Sequence, residues 1–157
     1  NVRISSDEIA VAYVKENINS IWQKTPVYMH GDFHPGNLIY MQDGSIGVID
    51  FNRWEVGDPY EEFYKLESFG IEISVPYCIG QIDAYFNDNV PEDFWTANAV
   101  YVAQASLFSI KWAEKFGQAD IDGMVRRARA SMKNFDNFNL SVPAWYSSTL
   151  GKYTNLL

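Results

Sequence analysis

A single cysteine, Cys78, leaves no partner for an internal disulfide. This excludes the cross-linked scaffold of a small secreted protein and fits a reducing, cytoplasmic setting. Positive charge is also scarce. Twelve Lys and Arg face twenty Asp and Glu, for a formal charge of -8 and a sequence pI near 4.6. Such a surface opposes phosphate backbones and acidic lipid headgroups, so neither nucleic acid nor membrane is expected as a partner. A long apolar run is lacking too. The longest uncharged stretch, Phe94 to Ile110, has 17 residues interrupted by Thr96, Asn98, Gln104, Ser106 and Ser109. A bilayer core asks for roughly 20 mostly apolar residues, so this stretch reads as a buried helix. No basic segment followed by an apolar one opens the chain, which begins Asn1-Val2-Arg3 and reads as part of something longer.

What is present is a foldable composition, with 47% hydrophobic, 16% aromatic and 20% charged residues over a length of 157. One domain is expected, spanning residues 1–157, in an α+β class that is mainly α-helical. Ser5-Ser6-Asp7-Glu8 matches a capping box, and a helix should follow until Thr25-Pro26 stops it. Val27 to Met29 reads as extended, and His30 to Gly36 as an irregular loop. Asn37 to Gln42 and Ser45 to Phe51 read as two strands joined at Asp43-Gly44. Asp58, in Gly57-Asp58-Pro59, should cap a helix start with Glu61 closing a box, and helices are expected near 59–68, 75–87, 92–116 and 120–135.

A two-residue turn at Asp43-Gly44 would oppose Ile39 to Val48 and Asn37 to Asp50. Asn37, Ile39, Met41, Ile46, Val48 and Asp50 would then share one face, apolar except for an amide and a carboxylate at its open end. An amide oxygen and a carboxylate side by side suit a hard cation such as magnesium, with phosphate and water completing its shell. A one-residue slip would break that juxtaposition. Asp32 lies in the loop feeding the hairpin, where a carboxylate can accept a hydroxyl proton and orient the attacking oxygen.

The run His30-Gly31-Asp32-Phe33-His34-Pro35-Gly36-Asn37, then Ile49-Asp50-Phe51 and Gly57-Asp58-Pro59, resembles the catalytic core of the aminoglycoside phosphotransferase and choline kinase family. More distantly it resembles the catalytic loop and metal motif of protein kinases. The resemblance implies a protein-kinase-like C-terminal lobe with Asp32 as catalytic base and Asn37 and Asp50 as magnesium ligands. It also implies that His34 lies near the transferred phosphate and that Ile39 and Ile49 line the adenine pocket. Glu62 stands where the family usually has Asp, and Asn52 where protein kinases have Gly. No glycine-rich nucleotide loop and no strand lysine with a helix glutamate precede the loop, so an N-terminal nucleotide lobe is absent from this chain.

The expected activity is ATP-dependent, Mg2+-requiring transfer of a phosphoryl group to the hydroxyl of a small molecule, with an aminoglycoside-, choline- or homoserine-like acceptor. The alternative is a degenerate lobe serving as a binding or interaction module, and the apolar hairpin face around Ile39, Met41 and Val48 offers a route to self-association. Asp83, Asp88, Glu92 and Asp93 are candidates for attracting a cationic acceptor, whereas Arg53 would suit an acidic one. His30 reads as a loop-holding residue, Cys78 as a packed small hydrophobe, and Arg126, Arg127, Arg129 and Lys133 as a solvated basic face.

Overall fold

The computed structural model describes Ile4 and residues 7–148. Helix α1 (Asp7–Asn17) runs on into a 3-10 turn at Ile18–Ser20. Four short strands follow: β1 (Val27–Met29), β2 (Leu38–Tyr40), β3 (Ile46–Val48) and β4 (Glu55–Gly57). The remainder is helical, as α2 (Ile71–Ile73), α3 (Val75–Phe86), α4 (Glu92–Ala113), α5 (Gln118–Asn134) and α6 (Ala144–Ser147). This is the mainly helical α+β order the sequence pattern predicts. The capping serines, Ser5 and Ser6, lie outside the described residues.

The uncharged stretch ending at Ile110 forms most of α4, and its small residues explain its place. Ala97, Ala99, Val100, Val102 and Ala103 are all buried, which lets α1 and α5 approach closely. Aromatic residues fill the other side, where Phe94 meets Tyr60, Phe63 and Phe86 at ring separations of 5.2, 5.1 and 4.8 Å. No helix among the described residues is long and apolar enough to cross a membrane. Cys78 is packed in this core, and burial together with the nearby Glu67 pushes its thiol up to about 12.

The single helix expected over 59–68 is instead a 3-10 turn at Glu61–Phe63 and a π-helical turn at Leu66–Gly70. The wider turn seats Glu67 in the interior, where Oε1 accepts from Asn134 Nδ2 at 2.8 Å and Oε2 from Trp145 Nε1 at 2.6 Å. Burial raises its carboxyl above the usual range despite those bonds from Asn134 and Trp145. A carboxyl raised in the folded state leaves stability intact below its unfolded value near 4.5, and stability falls as the pH rises through the folded value. Glu67→Gln is therefore expected to be more stable relative to the parent at pH 7 than at pH 4, whatever the amide loses by turning its NH2 toward one of the two donors. A midpoint difference between the two proteins that is the same at pH 4 and pH 7 in calorimetric scans would show that the charge is not a cost.

The strands form two separate antiparallel ribbons, β1 with β4 and β2 with β3. β4 was not legible in the sequence, and it pairs Val27 with Gly57, Tyr28 with Val56 and Met29 with Glu55. The hairpin register differs by one residue from the expected one. Leu38 opposes Val48, Ile39 opposes Gly47 and Tyr40 opposes Ile46. The cause is a three-residue loop, Gln42-Asp43-Gly44, in which Gly44 takes the left-handed conformation at φ 86°. Met41 N–H donates to Ser45 O at 2.9 Å, and Asp43 Oδ1 holds the Ser45 amide at 2.9 Å. Ile46 and Val48 accordingly fall on the other face, with Leu38, against Tyr77 and Gln81 of α3. Ile39, Met41 and Ile49 keep the outward face and are exposed.

Candidate functional site

The loop from His30 to Asn37 is held at three points by groups far apart in sequence. His30 is buried, its Nδ1 accepts the Asp32 N–H at 3.2 Å, and its Nε2 donates to Ile49 O at 2.8 Å. That single ring fixes the loop to the end of β3, the structural role its sequence setting suggests. Glu62 clamps the loop's start, accepting the His30 N–H at 2.6 Å and the Gly31 N–H at 2.9 Å. Gly31 has φ 76°, and a Cβ there would lie 2.0 Å from the Arg53 carbonyl oxygen, so only glycine fits beneath the β3–β4 connection.

Asp58 anchors the segment that carries Glu62. Its carboxylate is 1% exposed and accepts from Tyr60 N at 3.0 Å, Trp22 N at 2.6 Å and Tyr101 Oη at 2.8 Å. The expected helix cap is not formed, since the 3-10 turn starts only at Glu61 with Tyr60 as its uncapped N-cap; Asp58 instead closes a local turn onto Tyr60 N, and its ties to α1's exit and to α4 were not legible. The expected closing of a capping box by Glu61 gives way to a different placement, with Glu61 lining a cavity where burial, and then Glu55, Asp58 and Glu62, raise its carboxyl.

That cavity, of about 580 Å³, lies between the π-helical turn, α4 and α5, and Asp32 and His34 stand at its edge. Lys65 Nζ is 2.8 Å from Asp32 Oδ1, and Arg53 Nη1 is 3.8 Å from Oδ2. Desolvation pushes the Asp32 carboxyl up, but the Lys65 bond and charge, then Arg53 and His34, more than offset it and hold it below the usual range. Asp32 is thus held as an anion. His34 is held chiefly by burial below its ordinary value, its Nδ1 accepts the Gly36 N–H at 3.1 Å, and its ring lies 5.3 Å from that of Phe69. Neutral His34 then carries its proton on Nε2, 3.8 Å from Asp32 Oδ1.

Asn37 donates from Nδ2 to the Asp32 carbonyl at 2.9 Å, which leaves its amide oxygen as the group a hard cation would take. Direct opposition to Asp50 is lost with the register shift, because Ile49 N–H donates to Asn37 O and Asp50 is one residue further on. At Asp50 the backbone turns left-handed, φ 65°, and the exposed carboxylate accepts from Asn52 Nδ2. No group of three His, Cys, Asp or Glu able to hold a metal occurs among the described residues. An amide oxygen and a carboxylate are donor types that magnesium takes alongside phosphate and water, but the hairpin register does not set these two side chains opposite each other.

Comparison with known proteins bears on these residues. Residues 6–95 match the Phosphotransferase enzyme family, a span that covers more than half of the chain and contains the whole loop, hairpin and Gly57-Asp58-Pro59 segment. The chain belongs to this phosphotransferase family. It is also 24% identical over 125 residues to an uncharacterized protein of Synechocystis sp., sll0005, an alignment covering 76% of this chain. The chain spans 17% of the length of that relative. No solved structure matches it. For a phosphotransferase the informative departures are in the cavity. Asp83, Asp88, Glu92 and Asp93 do not line it: Asp83 accepts from Tyr146 Oη at 2.6 Å and Asp93 pairs with Lys24 at 2.6 Å. Arg127, expected on a solvated face, lines the cavity instead, with its guanidinium 4.8 Å from the Phe69 ring and 2.7 Å from Glu72 Oε2. Lys65 had no signal in the sequence, since nothing local sets it apart from a surface lysine on a helix.

Proposed function

We propose that this phosphotransferase moves the γ-phosphoryl group of ATP to a hydroxyl of a small molecule, and that the 157 residues form its C-terminal, catalytic and acceptor-binding lobe. The observation that carries the reading is Asp32, an ionised carboxylate on a clamped loop at the edge of a 580 Å³ cavity large enough for a small acceptor. Asp32 takes the acceptor's proton as its oxygen attacks phosphorus. His34 lies beside the transferred group, and the outward hairpin face with Ile39 and Ile49 receives the adenine. Asn37 and Asp50 would hold Mg2+, which would supply positive charge against the phosphates. The nucleotide-clamping lobe is supplied from outside these residues and covers the exposed apolar side chains of that face; without it the same face offers a surface for self-association.

Acceptor binding is assigned to the aromatic and polar wall formed by Phe69, Phe108, Trp112, Gln104 and Ser109. Around it Arg53, Lys65 and Arg127 balance Asp32, Glu61 and Asp120, so the lining carries no acidic excess of the kind a polycationic acceptor would call for. A neutral or acidic hydroxyl compound suits it better than a polyamine. The test is ADP release from Mg·ATP by the protein with its nucleotide lobe, across aminoglycosides, choline, homoserine and sugars. Stimulation by sugars or hydroxy acids is expected, and stimulation by aminoglycosides alone would contradict the acceptor assignment. Tight nucleotide binding with no acceptor-dependent release would favour a binding module instead.

A further inference from the structure

The geometry assigns to Lys65 a catalytic role in phosphoryl transfer: its buried ammonium, paired with Asp32 in the resting protein, contacts the transferred phosphoryl group during reaction. The assignment rests on the reading of Asp32 as the base. Three observations support it. First, Lys65 is 5% exposed, and a buried ammonium is rarely retained without an anion to meet it. Second, its location is the reacting edge of the cavity, 2.8 Å from Asp32 Oδ1, and not a structural interior. Third, among the described residues the charged group beside Asp32 Oδ2 is the Arg53 guanidinium at 3.8 Å, so this second oxygen can receive the acceptor's proton while Oδ1 keeps Lys65 in place.

An acceptor oxygen hydrogen-bonded to Asp32 Oδ2 would put the attacked phosphorus beside the same carboxylate whose Oδ1 lies 2.8 Å from Nζ. The acceptor O–P bond forms as the bond between phosphorus and the β–γ bridging oxygen breaks. ADP leaves with that electron pair, the hydroxyl proton passes to Asp32, and Lys65 stays protonated throughout. Its role is to meet the negative charge spread over the transferred oxygens, an interaction stronger in the transition state than in the ground state. Flanking rings hold it there, with Nζ 5.0 Å from the Tyr64 ring centroid and 5.5 Å from that of Phe69.

The experiment measures ADP release from Mg·ATP, with water and with the acceptor panel, for the protein with its nucleotide lobe and for Lys65→Met, Lys65→Arg, Lys65→Ala and Asp32→Asn. Lys65→Met is expected to lower kcat at least about a hundredfold with KM for ATP changed less than about threefold. Lys65→Arg should recover part of the loss, and added ethylammonium should raise the rate of Lys65→Ala. That rescue is a response which a purely packing role would not give, and it remains readable if the methionine variant folds poorly. A Lys65→Met protein within threefold of normal kcat, while Asp32→Asn is inactive, would overturn the assignment alone. Full turnover by Asp32→Asn, or none by the unaltered protein with any acceptor, would overturn the reading beneath it.

Discussion

Asp32→Asn is expected to reduce phosphoryl transfer about a thousandfold while changing nucleotide affinity less than about threefold. The amide keeps the shape of the carboxylate but cannot take the acceptor's proton, and it turns the strongest bond of Lys65 into a weak one. Nothing that holds the loop is removed. The His30 ring still bonds Asp32 N and Ile49 O, and Glu62 still holds the amides of His30 and Gly31. The variant should therefore fold, with a cost set by the loss of charge opposite a buried ammonium. Steady-state kinetics with a calorimetric nucleotide titration separates the two effects. Retained turnover would remove Asp32 from the base role, and loss of nucleotide binding in step with activity would make its role one of architecture.

The largest loss of stability is expected at Asp58. Alanine there removes a buried carboxylate from the amides of Trp22 and Tyr60 and the hydroxyl of Tyr101, all three of which bond to it. Bonds to a buried carboxylate contribute about 1.5–3 kcal/mol each, so a loss of about 4–6 kcal/mol is expected, or a fall of roughly 10–20 °C in melting temperature. Asp58→Asn keeps one acceptor oxygen and should recover part of that. Activity should fall along with stability, because the same carboxylate fixes the segment whose Glu62 clamps the catalytic loop. A fall of less than about 4 °C for Asp58→Ala in a thermal melt would mean that the three donors find other partners.

Those two aspartates also mark how far a sequence can be read. The loop from His30 to Asn37 was legible because its chemistry is local: glycines, a proline and spaced polar residues state an irregular, functional turn without help from the rest of the chain. The long helices were legible because α4 carries a 17-residue uncharged run and α5 repeats apolar positions over several turns. The hairpin was legible in existence but not in register. Asp43-Gly44 suits a two-residue turn, but it equally suits a longer loop with Gly44 at its left-handed position, and the choice falls to Asp43 bonding Ser45. One residue of difference moved Ile46 and Val48 to the opposite face and took Asn37 out of direct opposition to Asp50.

What remained illegible was convergence in space. Lys65, Arg53 and Arg127 reach the cavity from three separate segments, and only the packing of the π-helical turn against α4 and α5 brings them there. Glu62 was visible as a substitution at a family position, but its two backbone bonds depend on the β1–β4 ribbon aligning His30 with the turn after Asp58. Of the acidic residues grouped from Asp83 to Asp93, Asp83 is engaged by Tyr146 and Asp93 by Lys24.

The most direct measurement is phosphorus NMR of Mg·ATP incubated with the acceptor panel and the protein bearing its nucleotide lobe, run beside the Asp32→Asn variant. A phosphomonoester resonance is predicted to grow in step with ADP, to require Mg2+, and to be missing from the variant's spectrum over the same time. Orthophosphate as the only product with every acceptor, or a phosphomonoester formed equally fast by Asp32→Asn, would contradict transfer to a small-molecule hydroxyl through Asp32.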